Sequence, residues 1–161
     1  MISSILKKML DASEGSIHDI DHFLRVWAYA KTIGEMENIG DEKQFILEAA
    51  ALVHDIACPS LRARFGCCDG KLQETEGMPM ARELLAEFDI SSDKLDRIVF
   101  LVGHHHTLTG IDGIDYQILI ESDAIANLSE GNASKEKVIN TKEHIFKTAS
   151  GIALLESVFQ I

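Results

Sequence analysis

The chain has 161 residues, 46% of them hydrophobic and 25% charged, a composition too apolar for a disordered segment and a length sufficient for one domain with a genuine core. Its formal net charge is −11 and it contains no run of Lys or Arg, which excludes nonspecific binding of a nucleic acid polymer. No apolar stretch approaches the roughly 20 residues that cross a bilayer, and the N-terminus has no signal-peptide pattern; a cytoplasmic location with no membrane partner is the expectation.

Taken in chain order, residues 2–11 read as a short amphipathic helix ended by Gly15. Ser16 is a plausible N-cap for a helix to about Asn38, with Asp19 as its acidic partner and Ile20, Phe23, Leu24, Trp27, Ala30 and Ile33 at helical spacing. Phe23 and Trp27 read as core positions, and Gly40 as the stop. Asp41 opens a helix through Ala57, which Pro59 ends. Residues 58–72, with two glycines and mixed charge, read as a loop. Helices are expected at Met80–Phe88, from Ser91 or Ser92 through Val102, and from about Tyr116 to Leu128, with a loop at 107–113 between the last two. The segment 129–134 is a turn, and the remainder is helical and packs on the rest. Strand-like alternation is nearly absent, so the expected fold is one all-α domain over 1–161, a compact bundle of about six to eight helices.

There are three cysteines. Cys67 and Cys68 are adjacent, an awkward arrangement for a structural bridge, and Cys58 stands apart; reduced thiols are expected. No CxxC pair exists, so the spacing for a cysteine zinc site is absent.

The seven histidines carry more information. Six lie in three places: His18 and His22, then His54, then His104, His105 and His106. His54 and Asp55 end an apolar run, Ala50-Ala51-Leu52-Val53, where an imidazole beside a carboxylate needs something to compensate both. A divalent metal does so, since imidazole nitrogen and carboxylate oxygen both suit it. His22 and Asp123 are likewise polar residues within apolar helical stretches. One geometric objection stands: neighbours on a helix point about 100° apart, so His54 and Asp55 converge only if the ion lies beyond the helix end.

The order of these pieces, His22-Phe23-Leu24-Arg25-Val26, then His54-Asp55-Ile56, then the histidine cluster, then Ser122-Asp123-Ala124, resembles the HD-domain superfamily of metal-dependent phosphohydrolases over residues 18 to about 128. The resemblance implies metal ligation by His22, His54, Asp55 and Asp123. Ile98, Val102, His105 and His106 fit the family's I-x-x-x-I-x-x-H-H register, which leaves His104 out. His105 and His106 would line the site, help bind a second metal, or contact the substrate phosphate, and Arg25, one turn from His22, could grip that phosphate unless it pairs with Asp21. Asp55 would ligate the metal and steer a water proton, and His105 would protonate the leaving oxygen. Lys71, Gln73 and His104 are weaker candidates, while His18 and His144 read as surface residues.

Two departures from the family pattern matter. Position 58 is Cys where many members carry Lys after H-D-I-G, and Gln73 stands where fuller ligand sets have His ahead of a glycine, here Gly77. The second weakens the case for a second metal, unless Glu74 or Glu76 substitutes. The expected cofactor is a divalent transition metal, with Mn, Fe, Co, Ni and Zn all compatible with nitrogen and oxygen ligands. The expected partner is a small phosphorylated molecule, a nucleotide foremost, and a homo-oligomer is left open. Three functions fit this residue set: a metal-dependent phosphohydrolase, a non-catalytic nucleotide-sensing module, and a di-iron oxygenase.

Overall fold

The computed structural model describes residues 1–161 as nine α-helices without strands. They are α1 (Ile2–Ala12), α2 (Ile17–Met36), α3 (Asp41–Val53), α4 (Cys58–Phe65), α5 (Gly70–Leu85), α6 (Ser92–Val102), α7 (Ile114–Glu130), α8 (Lys135–Ile145) and α9 (Ala149–Phe159). No helix is long and apolar enough to cross a membrane.

Helix α2 lies along both α3 and α7, α3 also meets α6, and α5 covers α6. Helices α8 and α9 pack on each other and on α7. The apolar positions at helical spacing build the core: Phe23, Val26 and Ile33 from α2 meet Leu47 and Leu52 from α3 and Ile118 and Leu119 from α7, all essentially inaccessible to solvent. Each such side chain contributes roughly 1.5–3 kcal/mol relative to exposure. Phe23 is core as expected, whereas Trp27 is half-buried and donates its indole N–H to Glu48 Oε2 at 2.9 Å.

Several local expectations are corrected. Helix α3 ends at Val53, not Ala57, because the chain tightens there: Ile56 N donates to Val53 O at 3.1 Å and Cys58 N to Asp55 O at 2.9 Å. Residues 54–57 are therefore turn. The stretch 58–72 is not one loop. Pro59 occupies the first turn of α4, where its missing N–H costs nothing, and Gly66, at φ +74°, closes that helix with its N–H on Arg62 O. Helix α5 starts ten residues before Met80, capped by the Asp69 carboxylate accepting from Lys71 N and Leu72 N, and runs through Pro79. Gly40 is the N-cap of α3 and not the stop of α2, which ends at Met36.

The Ser16 hydroxyl does not cap α2 either. It donates to Asp19 Oδ2 at 2.6 Å, and Asp19 also takes the guanidinium of Arg62, tying α2 to α4. The expectation of three reduced thiols is overturned as well: Cys58 and Cys68 form a disulfide with Cα atoms 5.4 Å apart, and only Cys67 is free and exposed. The α4 turn and the loop after it return the chain to Cys58, a pairing that sequence spacing does not reveal.

Candidate metal centre

Four elements converge on one point. His22 comes from the second turn of α2, His54 and Asp55 from the turn after α3, His105 from the turn after α6, and Asp123 from α7. His54, the C-cap of α3, keeps helical backbone angles (φ −56°, ψ −38°), and beyond the helix end its Nε2 still comes within 3.6 Å of Asp55 Oδ2, which answers the geometric objection. Gly77 lets α5 close over them: a Cβ there would lie 3.1 Å from Val102 Cγ1 and 3.8 Å from His54 O.

His22 Nε2 lies 3.2 Å from His54 Nε2, 3.2 Å from Asp123 Oδ1 and 3.4 Å from Asp55 Oδ2. His54 Nε2 is 3.6 Å from Asp55 Oδ2 and 3.7 Å from Asp123 Oδ1, and His105 Nε2 is 3.3 Å from Asp55 Oδ1. Ligand bonds of 2.0–2.2 Å set neighbouring ligand atoms about 3.0 Å apart in an octahedron and about 3.4 Å apart in a tetrahedron. The observed spacing fits either.

The protonation pattern points the same way. His54 Nδ1 is 2.9 Å from Ala51 O and His105 Nδ1 is 2.8 Å from Val102 O, so both rings carry their proton on Nδ1 and turn an Nε2 lone pair inward. His22 Nδ1 faces the Glu130 carboxylate at 3.1 and 3.2 Å, which likewise turns its Nε2 inward. Three Nε2 atoms and two carboxylates thus face one another in a buried space, and two of their atoms, Asp55 Oδ1 and His105 Nε2, have no hydrogen-bond partner. Only a positive charge stabilises such a set. The residues fit a divalent ion, either as His22, His54 and Asp123 or as His54, Asp55 and His105.

Without an ion, protons substitute imperfectly. Burial opposes a charge on His22, but the Asp123 hydrogen bond and the charges of Asp55, Asp123 and Glu130 raise its pKa to about 9. Burial dominates at His54, helped by repulsion from His105 and His22, and lowers its pKa to about 4. Burial likewise opposes ionisation of Asp55 and Asp123, yet the surrounding imidazoles hold both below the ordinary carboxylate range. His105 is raised, the Asp55 carboxylate outweighing its burial.

The remaining candidates divide. His106 is near the cluster but its Nε2 is taken by Gln73 Oε1 at 2.5 Å, and Gln73 Nε2 donates to Cys68 O at 3.2 Å. Buried Glu74 accepts from His106 N at 3.2 Å and Thr107 Oγ1 at 2.8 Å, so it closes the α6 turn. Glu76 pairs with Arg64. His104 stays outside, stacked on Phe100 at 4.1 Å between ring centres with Nδ1 2.7 Å from Phe100 O. Lys71 is 84% exposed and only 3.8 Å from Glu74 Oε2. Arg25 does not pair with Asp21; its Nη1 is 3.9 Å from Glu130 Oε1, and it remains 44% exposed at the edge of the centre. His18 and His144 are exposed.

Glu130 and Asn127 were not among the expected residues. Asn127 Nδ2 donates to Asp123 Oδ1 at 2.8 Å, and Glu130 orients His22. Both were legible in principle, since positions 123, 127 and 130 follow i, i+4, i+7 and share one face of α7. A cavity of about 280 Å³ opens from His105, His106 and Asp123 toward α8.

The chain resembles known proteins in fold and in sequence family. A crystal structure at 1.45 Å described as a predicted HD superfamily hydrolase, from an uncultured Thermotogales bacterium, superposes with a TM-score of 0.71 at 21% identity, covering 98% of this chain and 84% of its own, and so shares the fold. No curated protein matches the sequence. The HD-domain family model matches residues 19–150, most of the chain, and with His54 and Asp55 at the heart of the cluster the chain belongs to the HD-domain family.

Proposed function

We propose that this protein is a metal-dependent phosphohydrolase acting on a nucleotide or another small phosphate ester, with His22, His54, Asp55 and Asp123 holding the ion. The observation that carries the proposal is the convergence of Nδ1-protonated imidazoles and unpartnered carboxylate oxygen on one buried point beside an open cavity. When bound, a divalent ion supplies Lewis acidity toward a phosphoryl oxygen and lowers the pKa of water.

The chain's own groups do the rest. Asp55 Oδ1, free of any hydrogen bond, accepts the proton of the attacking water. His105, 3.3 Å from it, donates from Nε2 to the leaving oxygen when protonated. Arg25, exposed at the rim, orients the phosphate through its guanidinium fork. His106, anchored by Gln73, forms the wall beside His105.

The test combines metal analysis with a phosphate-release screen over nucleotides, dinucleotides and sugar phosphates under Mn, Fe, Co, Ni and Zn. Asp55→Ala is expected to abolish both metal content and turnover. Full activity in that variant refutes the scheme. A second reading, a sensing module without turnover, draws on position 58, a half-cystine where many relatives carry lysine; metal binding with no hydrolysis across the screen would favour it. The oxygenase reading needs a second ion, for which Gln73 and His106, bonded to each other, would have to separate. One equivalent of redox-silent metal excludes it.

A further inference from the structure

The cavity beside the metal centre has a second wall that belongs to α8. Its metal end is formed by His105, His106 and Asp123, where the reacting phosphate would lie. Beyond that end the lining changes character: Ile120 and Leu128 from α7 and Ile145 from α8 form an aliphatic surface, and Leu108, 53% exposed on the loop before α7, stands at the mouth. Leu108 adds apolar surface at the rim that a bound organic group would cover. No aromatic ring lines the cavity apart from the two histidines, so the wall selects by shape and apolarity and not by stacking.

Three polar groups interrupt the apolar wall: Asn127 on α7, whose amide is held by Asp123, and Lys137 and Thr141, one turn apart on α8. The Thr141 hydroxyl donates to Lys137 O at 2.9 Å, which leaves its lone pairs to accept. Lys137 forms no ion pair within 4.0 Å, although acidic residues outnumber basic ones 26 to 15 and most of the chain's Lys and Arg are paired. It is the only Lys or Arg lining this cavity. A volume of about 280 Å³ corresponds to roughly nine waters at about 30 Å³ each, and it lies at the small end of the range for organic ligands, roughly 300–1,000 Å³.

Resting on the phosphohydrolase reading, we infer that α8 is the specificity wall of the site. The cavity takes the leaving group of a phosphate ester whose organic part is one compact, apolar-faced body no larger than about a nucleoside. Lys137 pairs with an anionic or electron-rich edge of that body. A larger organic part extends past Leu108 out of the cavity, and inorganic phosphate uses only the metal end.

Direct binding tests this without turnover. Inorganic phosphate, benzylphosphonate and 4-carboxybenzylphosphonate are titrated by calorimetry into the manganese-loaded full chain. The expected result is benzylphosphonate binding at least tenfold tighter than phosphate, and the 4-carboxy compound at least threefold tighter again. Lys137→Ala removes only the gain from the carboxylate, and Leu108→Ala, a surface truncation, weakens both phosphonates several-fold. Thr141→Trp, which fills the cavity, brings both down to the level of phosphate. None of the three variants alters phosphate or manganese affinity. If phosphate binds but the organic body adds nothing, or the variants match the wild type, the specificity wall is refuted while the phosphohydrolase reading stands. If neither phosphate nor phosphonate binds the loaded chain, both are refuted.

Discussion

Loading the centre with metal must expel a proton from His22. In the metal-free protein the pKa of His22 is about 9, so at pH 7 its Nε2 is almost fully protonated and unavailable as a ligand. The competition weakens apparent affinity by a factor of about 100 at pH 7 relative to the alkaline limit, equivalent to about 2.7 kcal/mol. The dissociation constant should therefore fall about tenfold from pH 7 to 8 and about fivefold from pH 8 to 9, and one proton should leave His22 per ion bound at pH 7. His54, with a pKa of about 4, is already neutral there and releases none. Calorimetry of metal binding at pH 7 and 8, in paired buffers of different ionisation enthalpy, measures both quantities. Affinity that is flat across this range, with no buffer-dependent heat, would refute His22 as a ligand and the lone-pair argument with it.

Glu130→Gln should weaken metal affinity 10- to 100-fold, because it removes the carboxylate that holds the His22 Nδ1 proton, and chelator competition reads the loss. The same variant should lower the His22 pKa and reduce proton release at pH 8. Glu121→Ala should destabilise the fold by about 3 kcal/mol or more in urea denaturation, since this buried carboxylate accepts from Gln117 Nε2, Lys147 N, Thr148 N and Thr148 Oγ1 at 2.5–3.0 Å. In the presence of chelator, stability should fall on both sides of neutrality. His54, depressed to about 4, contributes in full above pH 6.5 and loses that contribution as pH falls through 4, whereas His22, raised to about 9, contributes in full below pH 6.5 and loses it as pH rises through 9. A urea midpoint constant from pH 4 to 9 would contradict this. Saturating metal should flatten the alkaline limb.

The helical class and the four-residue cluster were legible because both rest on strong local signals. Apolar residues at helical spacing declare α2, α3, α6 and α7, and polar residues at apolar positions declare His22, His54 and Asp123. What escaped depends on tertiary contacts. Pro59 reads as an interruption yet lies in the first turn of α4, and Pro79 lies within α5, which packs against α6. The Cys58–Cys68 pairing depends on how α4 turns back. Gln73, a weaker site candidate from the sequence, serves as an anchor for His106, a role visible only once the 66–69 loop is in place. Lys137 and Thr141 lie on a helix whose sequence carries no catalytic signature, and their relevance appears only from the cavity they border.

Glu121 and Asp123 lie two residues apart on α7, so their side chains leave the helix about 200° apart. One is clamped by the start of α9, the other faces the ion site. Helix α7 is thereby fastened on opposite flanks and cannot roll about its long axis without breaking one attachment. The residues just before α9 thus set the rotation of the helix that carries Asp123, so loosening of 147–148 is expected to shift the Asp123 carboxylate.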